Sequence, residues 1–204
     1  MAAFQPDSFV VADVVPSPNW DERADGRRPD LILLHYTGMQ SGQAALERLT
    51  SADSKVSAHY VVFEDGRIVQ CVPETKRAWH AGVSFWAGET DINSASIGIE
   101  IQNPGHANGY PDFPPEQMQA IAALCRDIMG RRAIRPEGVL AHSDVAPGRK
   151  IDPGEKFDWA GLAQAGVGHW VAPAPPDCGC AAYDLGDEGA EIAEAQALLH
   201  GYGY

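Results

Sequence analysis

Two histidines and an aspartate have the types and positions needed to bind one metal ion. His142 directly follows the apolar run 139–141, and His35 directly follows the apolar run 31–34. Continuous apolar runs are typical of strands that are covered on both faces of a sheet. Because α/β sheets usually place ligand sites at the carboxyl ends of their strands, we expect the two imidazoles to lie near each other. Asp152 follows His142 by ten residues and adds a carboxylate.

This set of donors suits a catalytic zinc ion. Three nitrogen and oxygen ligands leave the fourth tetrahedral position open for water, whose pKa the metal lowers to about 7. A purely structural interpretation remains open, because a histidine at a strand end is often just hydrogen-bonded. The Asp-Pro-Gly sequence at 152–154 is also a turn signal by itself.

A second metal site would use His142 with a different carboxylate. His142-Ser143-Asp144 has the His-x-Asp form of the two-histidine, one-carboxylate iron sites. The distal histidine would then be His169 or His200, both in the C-terminal part of the chain. Asp144 is better explained as a local turn or cap residue.

Glu100 is a candidate for proton transfer, and Lys150 is a candidate for stabilising negative charge. The segment 96–102 alternates, with three isoleucines on one face and Gly98 and Glu100 on the other. Glu100 could therefore stand over a cleft, although a solvated outer face is the simpler explanation. Lys150 precedes the candidate ligand Asp152 by two residues and could direct a cation toward the same point, although such loop lysines are usually exposed.

The elements around these residues alternate between strands and helices. The spacing of apolar residues predicts helices over 41–51 and 114–132. Two β-rich runs, 58–63 and 68–72, flank an Asp-Gly pair and predict a hairpin. The segment 77–105 is loop-like apart from the strand at 96–102, and long loops in compact domains are usually functional.

Composition limits the classes of partner. The chain has 204 residues, of which 45% are hydrophobic, which suits one domain and a short appendage. A net charge of -13 disfavours nucleic acid and anionic membrane surfaces as partners. The sequence contains no apolar run long enough for a membrane span and no export signal, so a cytoplasmic location is expected. A chain trimmed of a signal peptide would look the same, which keeps a periplasmic location open.

The four cysteines predict no disulfide framework. They are Cys71, Cys125, Cys178 and Cys180, too few and too scattered for a domain of this size. Reduced thiols are the simpler interpretation. Cys178 and Cys180 could bind a metal or pair with another thiol, but their surroundings are rich in proline and alanine and are typical of a linker.

Five sequence stretches, in order, resemble the type-2 family of zinc-dependent N-acetylmuramoyl-L-alanine amidases, a family that also includes peptidoglycan recognition proteins. The stretches are LHYTG (34–38), SAHYVV (57–62), RAWHAG (77–82), NSASIGIEIQN (93–103) and AHSDVAPGRKIDPG (141–154). The resemblance covers about residues 30–165. It implies an α/β fold in which helices flank a central mixed β-sheet, followed here by a short C-terminal helical tail.

The resemblance also implies roles for the candidate residues. His35, His142 and Asp152 match the family's zinc ligands, Glu100 its catalytic carboxylate and Lys150 its catalytic lysine. In the chemistry implied, a water activated by Zn²⁺ and deprotonated by Glu100 attacks the amide between N-acetylmuramic acid and L-alanine. Zn²⁺ and Lys150 then hold the tetrahedral oxyanion.

Further residues are expected to contact a muropeptide or peptidoglycan substrate. Trp79, His80 and Asn93 lie in stretches that line the muropeptide groove in the family. Because the peptide stem is acidic, we expect local positive potential from Arg149, Lys150 and Arg77 around the cleft. His59 is similar to a family histidine and is interpreted as structural.

The C-terminal region is expected to be separate from the catalytic domain. We predict a catalytic domain over 1–170, a Pro/Ala-rich linker over 171–186 and a helical tail over 187–204, with helical spacing at 188–200. The tail resembles the first helix of a small peptidoglycan-binding domain, but it could equally pack on the catalytic domain.

One alternative function shares the same fold. Some recognition proteins of this superfamily bind muropeptides without catalysis, and these typically lack a zinc ligand. All three ligand positions and both catalytic positions are filled here, which favours the enzyme. Oligomeric state, stem-peptide preference and the choice between anhydro-muropeptide and intact peptidoglycan are not determined by the sequence.

Overall fold

The fold is an α/β structure with a central six-stranded mixed sheet flanked by helices, as expected. The computed structural model describes residues 4–173 and 183–204. The strands are β1 (Asp13–Val14), β2 (Trp20–Glu22), β3 (Leu31–Tyr36), β4 (Tyr60–Val62), β5 (Ile68–Gln70), β6 (Lys76–Ala78), β7 (Ser96–Ile101) and β8 (Val139–Ala141). The helices are α1 (Gly42–Thr50), α2 (Ile92–Ala95), α3 (Pro115–Arg132), α4 (His142–Val145), α5 (Trp159–Gln164) and α6 (Ala190–Tyr202).

Three adjacent strands, β7, β3 and β8, run parallel at one side of the sheet. The strand order is β1-β5-β4-β7-β3-β8, with β3 parallel to both β7 and β8. β4 runs parallel to β7 and antiparallel to β5, which makes the sheet mixed. The predicted hairpin is therefore confirmed as the β4 and β5 pair.

The two faces of the central strands have different partners. The isoleucines of β7 share one core with alternate residues of β3 and with the buried side of α3. The residues of that core drawn from these three elements include Ile32, Leu34, Ile97, Ile99, Ile101, Ile121, Leu124 and Ile128. The opposite face, which carries Leu33 and Leu140, packs against the segment containing Ala81 and Trp86. This second face also carries His35 and Glu100.

Several predicted elements have the expected positions. α1 begins after Ser41, whose hydroxyl accepts a hydrogen bond from the backbone N–H of Ala44. α3 begins with proline at its first residue and is followed by Ala133, which has left-handed backbone angles. The segment 77–105 differs from the expectation, because it contains α2 and most of β6, which pairs with β2 in a separate two-stranded ribbon. That ribbon joins residues far apart in the chain, and its short strands have no clear periodicity.

The C-terminal helix α6 and the two residues after it contact the part of the chain that contains the central sheet. Tyr204 donates a hydrogen bond to Asp144 (2.7 Å), and the carbonyl of Gly203 accepts one from Ala87 (2.8 Å). The ring of Trp86 packs edge-on against Tyr202 and Tyr204. The predicted linker falls largely on residues 174–182, which lie outside the described residues, as do Cys178 and Cys180.

A buried carboxylate ties α3 to the sheet. Glu74 is fully buried, and its oxygens accept hydrogen bonds from Tyr60 (2.6 Å), Arg131 (2.7 and 2.8 Å) and Arg132 (2.7 Å). Burial opposes ionisation, but the hydrogen bonds from Arg131 and Tyr60 prevail and lower the pKa of Glu74 to about 2. The carboxylate therefore contributes to folding stability in its ionised form.

Replacing Glu74 by glutamine should destabilise the fold in a pH-dependent way. A pKa lowered from 4.5 to about 2 corresponds to roughly 3 kcal/mol, which is present above pH 4.5 and is lost as the pH falls toward 2. We expect the difference in free energy of unfolding between wild type and Glu74→Gln to be large at pH 7 and to shrink toward pH 2. Denaturant unfolding at several pH values measures it.

Glu47→Gln is the matched control. This carboxylate is exposed and accepts a hydrogen bond from Gln43 on the surface of α1. Its replacement should change stability little at any pH, because exposed interactions contribute little. A Glu74→Gln difference that stayed constant from pH 7 to pH 2 would contradict the assigned role of the charge.

Candidate metal and catalytic site

Three donor atoms from distant parts of the chain converge on one point. His35 Nδ1 lies 2.8 Å from His142 Nδ1 and 3.2 Å from Asp152 Oδ2, and His142 Nδ1 lies 3.0 Å from the same oxygen. All three residues are buried. Within the described residues, this is the group of histidine and carboxylate side chains whose geometry could hold a metal ion.

Strand register brings these residues together. His35 on β3 is the pairing partner of Glu100 on β7, and Leu34 pairs with Ala141, the last residue of β8. His142 follows immediately, so it leaves the sheet beside His35. The loop after α4 then returns Asp152, and the backbone N–H of Ser143 donates to the Asp152 carbonyl (3.1 Å).

The outer nitrogens of both histidines have partners of their own. His142 Nε2 lies 2.9 Å from the carbonyl oxygen of Ala81, and His35 Nε2 lies 3.1 Å from His80 Nδ1. With their protons on Nε2, both rings direct the lone pair of Nδ1 toward Asp152. Three converging lone pairs repel one another, and a cation between them removes that repulsion. The residues present therefore fit a metal ion of the kind bound by nitrogen and oxygen ligands.

Burial sets the protonation states in this cluster. It lowers the pKa of His35 to about 4, with a further contribution from His142, so the ring is neutral and able to bind a metal. Burial disfavours ionised Asp152, but the adjacent side chains of His142 and His35 outweigh this and lower the pKa of the carboxyl. Two neutral imidazoles and a carboxylate are the forms that bind divalent metals.

Glu100 stands beside the cluster with an unsatisfied oxygen. Its Oε2 is buried and has no hydrogen-bond partner among the described residues. The pKa of Glu100 is raised to about 8, because burial and the charge of Asp152 both raise it and the nearby Lys150 only partly offsets them. A carboxylate whose pKa lies near neutrality is suited to accept and return a proton.

A cavity of about 360 Å³ opens over these groups. Its lining includes both candidate catalytic residues, Glu100 and Lys150, together with the three converging ligands. Positive charge comes from Arg48, Arg149 and Lys150. The expected contribution of Arg77 is not found, because its guanidinium pairs with Asp21 (3.1 Å) and Asp91 (2.8 Å).

The other residues predicted to contact substrate differ in exposure and in their hydrogen-bond partners. Trp79 lines it and donates from its indole nitrogen to Asp21 (2.8 Å), and His80 lines it behind His35. Asn93 is buried and accepts hydrogen bonds from the backbone N–H groups of His80 and Ala81. Arg149, although exposed, donates to the carbonyl of Ala81 (2.7 Å).

The second possible metal arrangement is not present. Asp144 accepts hydrogen bonds from the backbone N–H of Ala141 (2.7 Å) and from the hydroxyl of Tyr204, so both of its oxygens are used away from His142. His169 contacts Tyr202. Asp144 caps α4, as the simpler interpretation of the sequence expected.

Sequence reasoning missed residues that the fold brings to the cavity. Arg48 lies on α1 one residue before the buried Leu49, and Tyr36 is the last residue of β3. Both residues lie in or at the end of a predicted element. Only the packing of α1 beside the carboxyl end of β3 brings their side chains to the cavity. His59 is buried, accepts a hydrogen bond from Gly98 N–H (2.9 Å) and contacts Lys76 O, in keeping with its structural interpretation.

Comparison with known proteins identifies the family. The profile of the Amidase_2 family, described as N-acetylmuramoyl-L-alanine amidase, matches residues 25–155, which include His35, His142 and Asp152. The chain belongs to this amidase family. The fold and the family expected from the sequence are therefore confirmed.

Individual amidases of the family are similar to this chain. The chain is 43% identical to the N-acetylmuramoyl-L-alanine amidase AmiD of Escherichia coli, over 70% of this chain and 55% of AmiD. It is 38% identical to the 1,6-anhydro-N-acetylmuramyl-L-alanine amidase AmpD of the same organism, over 74% of this chain and 90% of AmpD. The chain thus spans about half the length of AmiD and most of AmpD.

A solved amidase structure has the same architecture. The complex of E. coli AmiD with anhydro-N-acetylmuramic acid-L-Ala-D-gamma-Glu-L-Lys matches with a TM-score of 0.73 and 39% identity, covering 90% of this chain and 75% of that chain. In the described residues of the present structure, no helix is both long and apolar enough to cross a bilayer.

Glycine at position 98 is required by the packing of His80 against β7. A Cβ atom on Gly98 would lie 2.5 Å from His80 Cγ, closer than real contacts allow. We therefore expect Gly98→Ala to lower the free energy of unfolding by about 1–3 kcal/mol, as overpacking does. Gly130→Ala is the control, since no heavy atom lies within 4 Å of the added Cβ. Thermal unfolding measures both, and equal stability of the two variants would show that His80 is not tightly packed.

Proposed function

We propose that this protein is a zinc-dependent amidase that hydrolyses the amide between (anhydro-)N-acetylmuramic acid and the L-alanine of muropeptides or peptidoglycan. The observation that carries the proposal is the convergence of His35, His142 and Asp152 beside Glu100, whose Oε2 is buried and has no hydrogen-bond partner among the described residues. Membership of the amidase family supports the reaction type. Its place would be cell-wall recycling or turnover.

The names of two relatives support the proposed substrate class. AmpD is a 1,6-anhydro-N-acetylmuramyl-L-alanine amidase, and the AmiD complex contains an anhydro-N-acetylmuramic acid linked to a three-residue peptide. An anhydro-muropeptide with an acidic stem would suit a cavity whose rim carries Arg48, Arg149 and Lys150. These cations provide local positive potential in a chain whose net charge is -13.

The residues of the chain have separate tasks in the proposed reaction. His35, His142 and Asp152 would hold Zn²⁺, which supplies Lewis acidity and lowers the pKa of water when it is bound. Glu100 takes a proton from the attacking water and returns it to the leaving amine. Lys150 donates to the oxygen that becomes negative as the carbonyl is attacked.

Asp152→Ala tests the metal site. We expect the wild-type chain to bind one zinc ion and to release the peptide from anhydro-muropeptide, and the variant to lose both properties because one of three ligands is gone. Zinc content by elemental analysis, with turnover on anhydro-muropeptide and intact peptidoglycan side by side, measures this. Asp144→Ala is the matched control, since this carboxylate caps α4 away from the cluster. Zinc binding and turnover unaffected by Asp152→Ala would refute the proposed ligand set.

Glu100→Gln and Lys150→Ala should separate catalysis from metal binding. Both variants should keep zinc, since neither residue is a proposed ligand. We expect Glu100→Gln to lose about 10²–10⁴ in kcat, as removal of a general base does, and Lys150→Ala to lose about 10²–10³. Steady-state kinetics on anhydro-muropeptide gives both values, and a near-normal rate in either variant would remove that residue from the mechanism.

The pH dependence of the lysine variant gives a further readout. The ammonium of Lys150 lowers the pKa of Glu100, so its removal should raise that pKa. The acidic limb of the kcat profile should then move to higher pH in Lys150→Ala and remain close to wild type in Lys150→Arg. An acidic limb that does not move would indicate that Lys150 is too far away to act on Glu100.

A non-catalytic recognition module remains the alternative. It would bind muropeptide stoichiometrically without zinc and without turnover, and the same measurements distinguish it. The division into a catalytic domain over 1–170, a linker over 171–186 and a tail over 187–204 remains part of the proposal. The hydrogen bond from Tyr204 to Asp144 supports a tail that packs on the catalytic domain.

A further inference from the structure

Two consecutive residues hold the outer edges of both candidate metal-binding histidines. His80 Nδ1 lies 3.1 Å from His35 Nε2, and the carbonyl oxygen of Ala81 lies 2.9 Å from His142 Nε2. His35 lies on β3 and His142 directly follows the neighbouring strand β8, yet a single dipeptide faces both of them. The dipeptide therefore sets the orientation of the imidazole rings of His35 and His142.

Hydrogen-bond direction follows from the chemistry of these partners. A carbonyl oxygen only accepts, so His142 carries its proton on Nε2 and keeps the Nδ1 lone pair free. His35 Nδ1 belongs to the same convergent set, so its proton is also on Nε2 and is donated to His80. His80 then carries its own proton on Nε2, which faces the hydroxyl of Ser96 (3.4 Å), and Ser96 donates to Ile92 O (2.6 Å).

The dipeptide is itself held in place by one side chain. The amide oxygen of Asn93 accepts from the N–H of His80 (3.0 Å) and from the N–H of Ala81 (2.8 Å). On its other side, the His80 ring lies over Gly98, where a Cβ atom could not fit. His80 thus has a fixed position and a fixed tautomer, which a side chain whose task is to bind an incoming substrate would not require.

We propose that His80 and Asn93 are positioning residues of the metal site. His80 fixes the tautomer and orientation of His35, and Asn93 fixes the dipeptide that also presents the Ala81 carbonyl to His142. This inference rests on the proposed zinc site, and it replaces the substrate-contact role that the family resemblance implied for these two residues. Partners of this kind typically change metal affinity by about 10- to 100-fold when they are removed.

His80→Leu and His80→Asn form the test pair. Leucine has no acceptor, whereas the amide oxygen of asparagine occupies nearly the position of histidine Nδ1. We expect the zinc dissociation constant of the full chain, measured by competition with a chromophoric chelator, to rise about 10- to 100-fold in His80→Leu and to recover largely in His80→Asn. At saturating zinc, the KM for anhydro-muropeptide should be unchanged in both variants. His169→Leu is the matched control, since His169 is exposed and contacts Tyr202.

The opposite pattern would overturn the proposal. An unchanged zinc dissociation constant with a raised KM in His80→Leu would make His80 a substrate contact. Asn93→Leu should weaken zinc at least as much as His80→Leu, because both rings lose their support. A zinc affinity unaffected by Asn93→Leu would remove Asn93 from the positioning role.

A measurement on the wild type covers the case in which the leucine variants fail to fold. In the zinc-loaded chain labelled with ¹⁵N at histidine, long-range ¹H–¹⁵N correlations should show protons on Nε2 of His35, His142 and His80. A scalar coupling between His35 Nε2 and His80 Nδ1 should report the hydrogen bond between them. A proton on His80 Nδ1 would refute the proposal. If the wild type neither binds zinc nor hydrolyses anhydro-muropeptide, the proposed amidase function is wrong. If the wild type does both but His80→Leu leaves the zinc dissociation constant unchanged, only the positioning role is wrong.

Discussion

The site depends on the register of three parallel strands, β8, β3 and β7. His35 pairs with Glu100 across β3 and β7, and the pairing of Leu34 with Ala141 makes His142 the next residue out of β8. Because side chains alternate between the faces of a sheet, a slip of one residue in β3 would turn His35 toward α3 and bury Leu34 in the cavity wall. The apolar core between the sheet and α3 therefore specifies the site as well as the fold.

The polar groups around His35, His142 and Asp152 can be buried together only if hydrogen bonds or a cation compensate for the loss of water. Two imidazoles, the carboxylate of Asp152 and one oxygen of Glu100 are buried close together, an arrangement that is costly unless the groups are paired or bind a cation. The outer nitrogens of His35 and His142 are satisfied by His80 and Ala81, so what remains unsatisfied points inward. Because the lone pairs and charges of these groups converge on one point, the cluster is a good site for a metal ion.

The scaffold behind the cluster is also polar. Arg23 is buried and donates to the carbonyls of Glu74, Asn93 and Ser94, which connects the Glu74 network to the helix that carries Asn93. Burial lowers the pKa of Arg23 to about 10, with the nearby Arg132 adding to the effect. The network that stabilises the fold thus continues into the residues that orient the candidate metal ligands.

The sequence by itself determined the elements that carry short-range signals. Apolar runs ending in His35 and His142, the alternation around Glu100 and the hairpin at Asp65-Gly66 all depend on residues close in the chain, and each was found where it was predicted. Only the tertiary structure decided which side chains meet. The contact of His80 with His35, the pairing of Arg77 with Asp21 and Asp91, and the entry of Arg48 into the cavity join residues that are far apart in the chain. Such contacts leave no local pattern, because packing between elements, rather than the periodicity within one, brings them about.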